Sequence, residues 1–241
     1  MKCLVGREPL LRALRLSAKA AGKSPGTDLV AMDVGGGALT VRCTDYDTEA
    51  SGVVSCDGIA DGSAMVPAKA LLALIDRLPG GAVVSMHTTG ASDAFSDAAL
   101  VIEAGRARYT LRASGAKFPD AAAVPTMDAG CSASGLRTAL EKVAGVVSQD
   151  DSRPAIGCVL WESGRLVATD GHRLHLIERE ALDGLRAWVL VHRGGLAALL
   201  ALCEIAGDGA LVMGADAHRL RAEFGGMAIS VRRIEATFPD Y

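Results

Sequence analysis

Val167-Ala168-Thr169-Asp170-Gly171-His172-Arg173-Leu174 is an apolar run that breaks at an Asp-Gly pair, displays a histidine and an arginine, and turns apolar again at Leu174 and Leu176. An Asp-Gly pair between two apolar runs signals a hairpin, because glycine takes the positive φ that tight hairpin turns need. The stretch predicts strand, tight turn, strand. It leaves the His-Arg pair open: two solvated polar residues beside a turn, or two side chains presented for a purpose. The rest of the chain decides between these.

Working outward, the landmarks around this stretch occur twice. Leu166 to Asp170 ends in Thr-Asp, as Leu39 to Asp45 does. Val189-Leu190-Val191 leads into a helical pattern at Leu196 to Ile205, closed by Gly207 and Gly209. Met65-Val66-Pro67 leads likewise into Ala68 to Leu78, closed by Pro79-Gly80-Gly81. A further helical pattern precedes each set of strands, from Pro9 to about Gly22 and from Gly135 to Val147. Phe118-Pro119-Asp120 and Phe238-Pro239-Asp240 end the two runs; these triplets lie 120 residues apart and the two Thr-Asp pairs 125 apart. Two landmarks in register, with matching helices, indicate a duplicated unit. The expected fold class is α+β: two repeated domains, 1–124 and 125–241, each with two helices packed on antiparallel sheets.

Composition bounds what such a protein does. With 50% hydrophobic and 22% charged residues the chain is globular, and at 4% aromatics its cores must be built from Leu, Val, Ile and Ala. A net charge of −3 gives no global attraction to nucleic acid, so any DNA-facing surface has to be a local basic stripe. The first helical pattern supplies one. At 100° per residue Leu10, Leu11, Leu14, Ala18 and Ala21 share a face, Arg12, Arg15, Lys19 and Lys23 share the opposite one, and Leu16 sits near the basic arc as an exception. Such a stripe attracts phosphates weakly, without sequence preference and in a salt-sensitive way; the same pattern also suits an ordinary solvated face.

Other classes fit less well. The six cysteines are scattered with no C-x-x-C pair, so neither a zinc site nor a redox motif is expected. No basic-then-apolar leader follows Met1, and the longest apolar run, Leu196 to Cys203, is too short to span a bilayer; the expectation is a cytoplasmic protein with reduced cysteines and no membrane partner. Asp170, His172 and His175 invite an enzymatic reading, but on a strand His172 and His175 point to opposite faces, and no second cluster offers further ligands. Gly35-Gly36-Gly37 lies between strands rather than opening a helix, and no P-loop, nucleophile elbow or dinucleotide fingerprint is present. No catalytic residue, metal or cofactor is expected.

At this point the residues resemble a known family, the bacterial β sliding clamps, which act as processivity factors of the replicative DNA polymerase. The likeness rests on the Thr169 to Leu174 stretch, on Arg153-Pro154 followed by Val159-Leu160-Trp161-Glu162, and on Phe238-Pro239-Asp240-Tyr241. In the first copy it rests on Met1-Lys2, the Glu8 to Ala21 helix, Thr44-Asp45, Val66-Pro67-Ala68-Lys69 and Phe118-Pro119. The resemblance implies the DNA clamp fold: a ring of repeated domains with sheets outside and helices lining a hole for duplex DNA. It implies DNA contacts from Arg12, Arg15, Lys19, Lys23 and Lys69, and from Arg137, Lys142, Gln149, Arg153 and Arg193 in the second copy. There the chain departs from the family, with no second cation beside Arg193 and no aromatics after Arg153. It implies also that Ile156, Thr169, Gly171, His172, Arg173, Leu174 and Pro239 line a groove for the short linear peptides of DNA polymerase, clamp loader and repair proteins.

The family has three such domains per chain and closes its ring as a dimer, whereas this chain has two. Three copies, joined head to tail, would complete a six-domain ring; a trimmed fragment of a three-domain clamp, or a clamp-like adaptor that never encircles DNA, are the competing expectations. In the family the groove's other wall comes from the third domain, which puts the completeness of the groove in question.

Overall fold

The computed structural model describes residues 1–90, 98–121, 123–150, 152–162, 164–178 and 188–241. The chain divides into two compact units, one of Met1–Asp45 and Glu49–Ala121, the other of Tyr46–Thr48 and Ala122–Tyr241.

In the first unit β1 (Lys2–Gly6) runs directly into α1 (Arg7–Ser17), which tightens into a 3₁₀ turn at Ala18–Ala20. Then follow β2 (Leu29–Gly35), β3 (Ala38–Thr44), β4 (Thr48–Ser55), β5 (Asp57–Ala60), β6 (Gly62–Pro67), α2 (Ala68–Asp76), β7 (Val83–Thr89), β8 (Ala99–Ala104) and β9 (Ala107–Arg112). The order β5-β1-β7-β8-β9 makes one five-stranded sheet, and β4, β3, β2 and β6 neighbour one another in a second; all of these neighbours pair antiparallel. The second unit repeats the plan with β10 (Ala129–Ser132), α3 (Ala133–Ala144), β11 (Cys158–Glu162), β12 (Arg165–Thr169), β13 (Leu174–Glu178), β14 (Val189–His192), α4 (Arg193–Ala206), β15 (Ala210–Ala215), β16 (Arg219–Phe224) and β17 (Met227–Arg232). Here β13-β12-β11-β14 form one sheet, and β10, β15, β16 and β17 follow one another in the other.

Register aligns the two copies residue by residue. Ala31 faces Met65 across β2 and β6, and Leu160 faces Leu190 across β11 and β14. Onto the first pair packs Phe118; onto the second, Phe238. The two Phe-Pro-Asp triplets therefore seat their aromatic rings at equivalent places. Two residues further, Pro67 aligns with His192, so Ala68 aligns with Arg193 and Lys69 with Gly194. The cations at the starts of the second helices, Lys69 and Arg193, are therefore one position out of register.

Several element boundaries differ from the periodicity, each for a physical reason. The first helix ends at Ser17 rather than near Gly22, because the chain tightens to 3₁₀ and Ala21 is already extended. Lys23 therefore leaves the helical arc and lies in the following loop. Leu16 is not an exception on a polar face: it is fully buried with Leu10, Ala13 and Leu14, so the apolar arc of α1 is wider than the spacing of its leucines suggested. The third helix begins two residues early, at Ala133, since the Ser132 hydroxyl accepts the Gly135 N–H at 3.2 Å and caps it. The fourth begins at Arg193, where His192 Nδ1 accepts the Gly194 N–H at 3.2 Å.

Two close approaches fix helices on sheets. A Cβ at Gly52 would stand 2.7 Å from Ala13 Cβ of α1, and one at Gly195 of α4 would stand 2.5 Å from Val231 Cγ1 of β17. Among the described residues no helix is long and apolar enough to cross a membrane.

Candidate functional site

In the first unit the helices α1 and α2 pack together and offer cations of two kinds. Arg7 is structural: its Nε donates to Ile75 O at 3.2 Å and its Nη2 to Asp76 O at 2.7 Å, neutralising the carbonyl end of α2. Arg12, Arg15, Lys19, Lys23 and Lys69 are at least partly exposed. Arg15 Nη2 donates to Asp76 Oδ1 at 2.6 Å, so a carboxylate from α2 reaches a stripe that α1 alone leaves free of acids. Both partners are at least half solvated, which makes the pair weak and available to exchange for another anion. Lys23 and Lys69 line one cavity of about 350 Å³ with Asp28 and Pro67, and Lys69 and Arg15 line another of about 320 Å³ with Leu72 and Asp76. The loop cation and the α2 cation thus extend the α1 row instead of standing apart.

The second unit places its expected DNA contacts differently. Arg137 Nε is held by Glu141 Oε1 at 2.8 Å, one helical turn on. Arg193 Nη1 donates to Ser148 O at 3.1 Å and lies against Gly157, so this half-buried guanidinium ties α4 to the loop before β11. Gln149 Nε2 donates to Val147 O at 3.3 Å within that loop. Arg153 crosses to the Asp-Gly turn, its Nη1 3.1 Å from where a Gly171 Cβ would be. Lys142 is exposed beside β13.

The turn itself is wider than a two-residue hairpin. Thr169 pairs with Leu174, leaving Asp170, Gly171, His172 and Arg173 as a four-residue loop. Asp170 explains this: its Oδ1 accepts the His172 N–H at 2.9 Å and the Arg173 N–H at 3.0 Å, and its Oδ2 accepts from Arg173 Nε at 2.9 Å. The two backbone donors, then the guanidinium, stabilise the carboxylate and hold its pKa down at about 2. Gly171 has φ +90° and its N–H reaches Thr169 Oγ1 at 3.0 Å, while that hydroxyl donates to Arg173 O at 2.8 Å. A side chain at Gly171 would be strained and would displace the Arg153 guanidinium. From the same hairpin, Arg173 Nη2 donates to Gly145 O at 3.2 Å, and His175 Nδ1 lies 3.1 Å from Lys142 O. A carbonyl only accepts, so in this contact Nδ1 carries the proton. The pair caps the C-terminal end of α3.

Sequence reading missed a second copy of this turn. Asp216-Ala217-His218-Arg219 repeats the D-x-H-R spelling, and Asp216 Oδ1 accepts the N–H groups of His218 and Arg219 at 2.7 and 2.8 Å. The motif's Asp, His and Arg therefore serve turn geometry in both places; what is particular to the first is Gly171 with Thr169 behind it. The equivalent loop in the first repeat, Asp45 to Thr48, holds Tyr46 at φ +75° where the second has Gly171.

Of the expected groove residues, Leu174 is 40% exposed, with Leu176 at 38%, and the two line a cavity of about 460 Å³ with Lys142, His175 and Ile177. His172, Arg173 and Pro239 are exposed. Ile156 is only 2% exposed, so it offers no open apolar surface. Phe238 anchors the terminal segment, and Tyr241 Oη donates to Glu162 Oε2 at 2.9 Å, keeping Pro239 at the surface between them. Among the described residues no group of three or more His, Cys, Asp or Glu is placed to hold a metal ion.

Comparison with known proteins places this geometry. No family model matches the chain. It is 30% identical over 264 residues to the beta sliding clamp of Caulobacter vibrioides (strain NA1000 / CB15N), covering all of this chain and 67% of that protein. The crystal structure of a DNA polymerase sliding clamp from Caulobacter crescentus superposes with a TM-score of 0.88 at 28% identity, over 100% of this chain and 67% of that one. The DNA polymerase III subunit beta from Pseudomonas aeruginosa gives 0.87 at 28%, with the same coverage. The chain thus spans about two thirds of the length of the relatives it matches, and the match runs through both units.

Proposed function

This chain belongs to the β sliding clamp family, and from that premise we propose that it acts on duplex DNA as a non-enzymatic clamp. Each structural unit serves as one clamp domain. The observation that carries the reading is the surface formed by α1, the turn and loop that follow it, and α2, where Arg12, Lys19, Lys23 and Lys69 reach solvent in a protein whose net charge is −3. A row of this kind acts on phosphates and slides, because its attraction has no sequence register.

The Asp-Gly turn serves a second purpose in this reading. Leu174 and Leu176 offer apolar contact beside Gly171, where a bound backbone can approach closely, and His172, Arg173 and Arg153 surround it with donors. This suits a short linear peptide from a polymerase, loader or repair protein.

With two units per chain, three copies joined head to tail fill a six-unit ring of about 74 kDa, three times the 24.8 kDa of one chain. Light scattering at micromolar concentration tests this: the ring predicts the trimer mass. A mass of one chain at every concentration contradicts it and leaves the reading as a non-encircling adaptor or as part of a longer clamp.

A further inference from the structure

The duplicated fold supplies its own control for one place in the molecule. In the second unit Leu160, Val167 and Leu190 are buried together, with Phe238 among them and Ile234 packed against the group. The register that aligns Ala31 with Leu160 and Met65 with Leu190 also aligns Arg42 with Val167, since Ala31 faces Arg42 as Leu160 faces Val167. Ser114 N–H donates to Met65 O at 2.7 Å, as Ile234 N–H donates to Leu190 O at 3.0 Å, so Ser114 is the counterpart of Ile234. Three apolar side chains of the second unit are therefore an alanine, an arginine and a serine in the first. Where one copy has a filled core, the other has a cavity of about 400 Å³ lined by these three residues among others. Small-molecule sites occupy roughly 300–1,000 Å³, so the space is of the right order for a small ligand.

Arg42 sets the chemistry of the cavity. Its side chain is 24% exposed, and its guanidinium lies over the Phe118 ring at 4.9 Å from the centroid. Among the described residues the only side-chain hydrogen bond it makes is a long one, Nη2 to Asp33 Oδ2 at 3.4 Å. Stacking covers a face of the guanidinium and leaves its N–H donors, which lie in the plane, able to take a planar anion. Ser114 Oγ accepts the Ala116 N–H at 3.2 Å and still has a proton to donate. Lys117 also lines the space; its contact with Asp120, at 3.5 Å between two well-exposed side chains, is weak enough to exchange. Two lining cations, Arg42 and Lys117, against one lining carboxylate, Asp33, leave a balance of +1. A singly charged carboxylate matches that balance. A phosphate dianion exceeds it and is repelled by Asp33. Met65, Ala31 and Ala98 supply apolar wall.

We propose that this cavity of the first unit binds a small carboxylic acid with an apolar body, its carboxylate held by Arg42 and its body lying against Met65, Ala31 and Ala98. The site uses neither the basic row nor the Asp-Gly turn, so it stands whether or not the chain encircles DNA.

NMR titration of the full chain tests it, with phenylacetate as probe and phenylacetamide and phenyl phosphate as comparisons. Phenylacetate should shift the amide signals of Arg42, Ser114 and Phe118 together, with one dissociation constant on the order of 1 mM. The uncharged amide should bind roughly tenfold more weakly, and the phosphate no more tightly than the carboxylate. Two variants, each checked for folding by a thermal melt, remove the site in different ways. Arg42→Gln takes away the charge, and Ala31→Leu places the second unit's side chain in the space; each should weaken phenylacetate by roughly tenfold or more. Should either variant fail to fold, the other decides, and the comparison of acid with amide needs only the wild-type chain. No saturable shift, equal binding of acid and amide, or unchanged binding in a folded variant overturns the site. Tighter binding of phenyl phosphate overturns its assignment to a carboxylate.

Discussion

The helix pair α1 and α2 and the helix pair α3 and α4 fill the same places in two copies of one fold, yet they present different surfaces. Counting α1 with its 3₁₀ turn and α2, the first pair carries five cations (Arg7, Arg12, Arg15, Lys19, Lys69) against two carboxylates, Glu8 and Asp76. The second pair carries three (Arg137, Lys142, Arg193) against Glu141 and Glu204. Use matters more than number. In the second unit Arg193 is committed to Ser148 O and Arg137, like Arg15, is loosely paired with a half-exposed carboxylate, Glu141, which leaves Lys142 to face solvent. In the first, Arg7 is committed to α2, Arg15 is loosely paired, and Arg12, Lys19 and Lys69 reach solvent. Duplication has kept the packing rows and released the surface charge, so attraction for DNA should be concentrated in the first unit.

The comparison breaks most readily at its charged end. Reversing Arg12, Arg15 and Lys19 to Glu should lower duplex binding by more than tenfold near 0.1 M salt and flatten the salt dependence by about 0.9 for each phosphate no longer neutralised. Fluorescence anisotropy over a salt series measures both. Reversing Arg137 and Lys142 should change them far less, and equal effects would erase the distinction between the pairs. On the packing side, where the copies are alike, Gly52→Ala and Gly195→Ala should each destabilise the fold by about 1–3 kcal/mol, since the new methyl groups meet Ala13 and Val231. Thermal melts that show no loss for either would mean that the helices shift freely on their sheets.

The difference can be narrowed as well as widened. Glu141→Lys frees Arg137 and adds a cation, so the second pair should gain DNA affinity by a few-fold and its salt slope should steepen by about 1–2. The smallest expected effect lies in the Asp170 turn. Its carboxylate has a folded pKa of about 2, below the ordinary value of about 3.9. The turn's contribution is therefore complete above about pH 4 and is lost as pH falls through about 2. NMR titration of the Asp170 carboxyl between about pH 5 and 1.5 checks it, and a midpoint at or above about 3.9 would contradict the hydrogen bonding described.

Much of this was legible in the residues, and what was not has identifiable causes. The duplication could be read because Thr-Asp and Phe-Pro-Asp are anchored to the same sheet positions in both copies. Apolar periodicity found the four helices but misjudged their ends, which depend on caps such as Ser132 and His192 and on the 3₁₀ tightening after Ser17. The strands Asp57–Ala60 and Ala129–Ser132 went unread, being four residues each and too short to show a period. The basic row was visible; that Asp76 reaches Arg15 from another helix was not, because helical spacing within one element says nothing of its neighbour. The register offset between Lys69 and Arg193 was likewise out of reach without strand pairing.

The central claim is that this chain holds duplex DNA by surrounding it. Retention on a nicked circular duplex in high salt, followed before and after a single cut linearises the circle, tests that claim most directly. The account predicts that protein assembled on the circle stays bound and is released on linearisation, with the Arg12, Arg15 and Lys19 reversal lowering the amount retained. Equal retention on circular and linear DNA, or none on either, would contradict it.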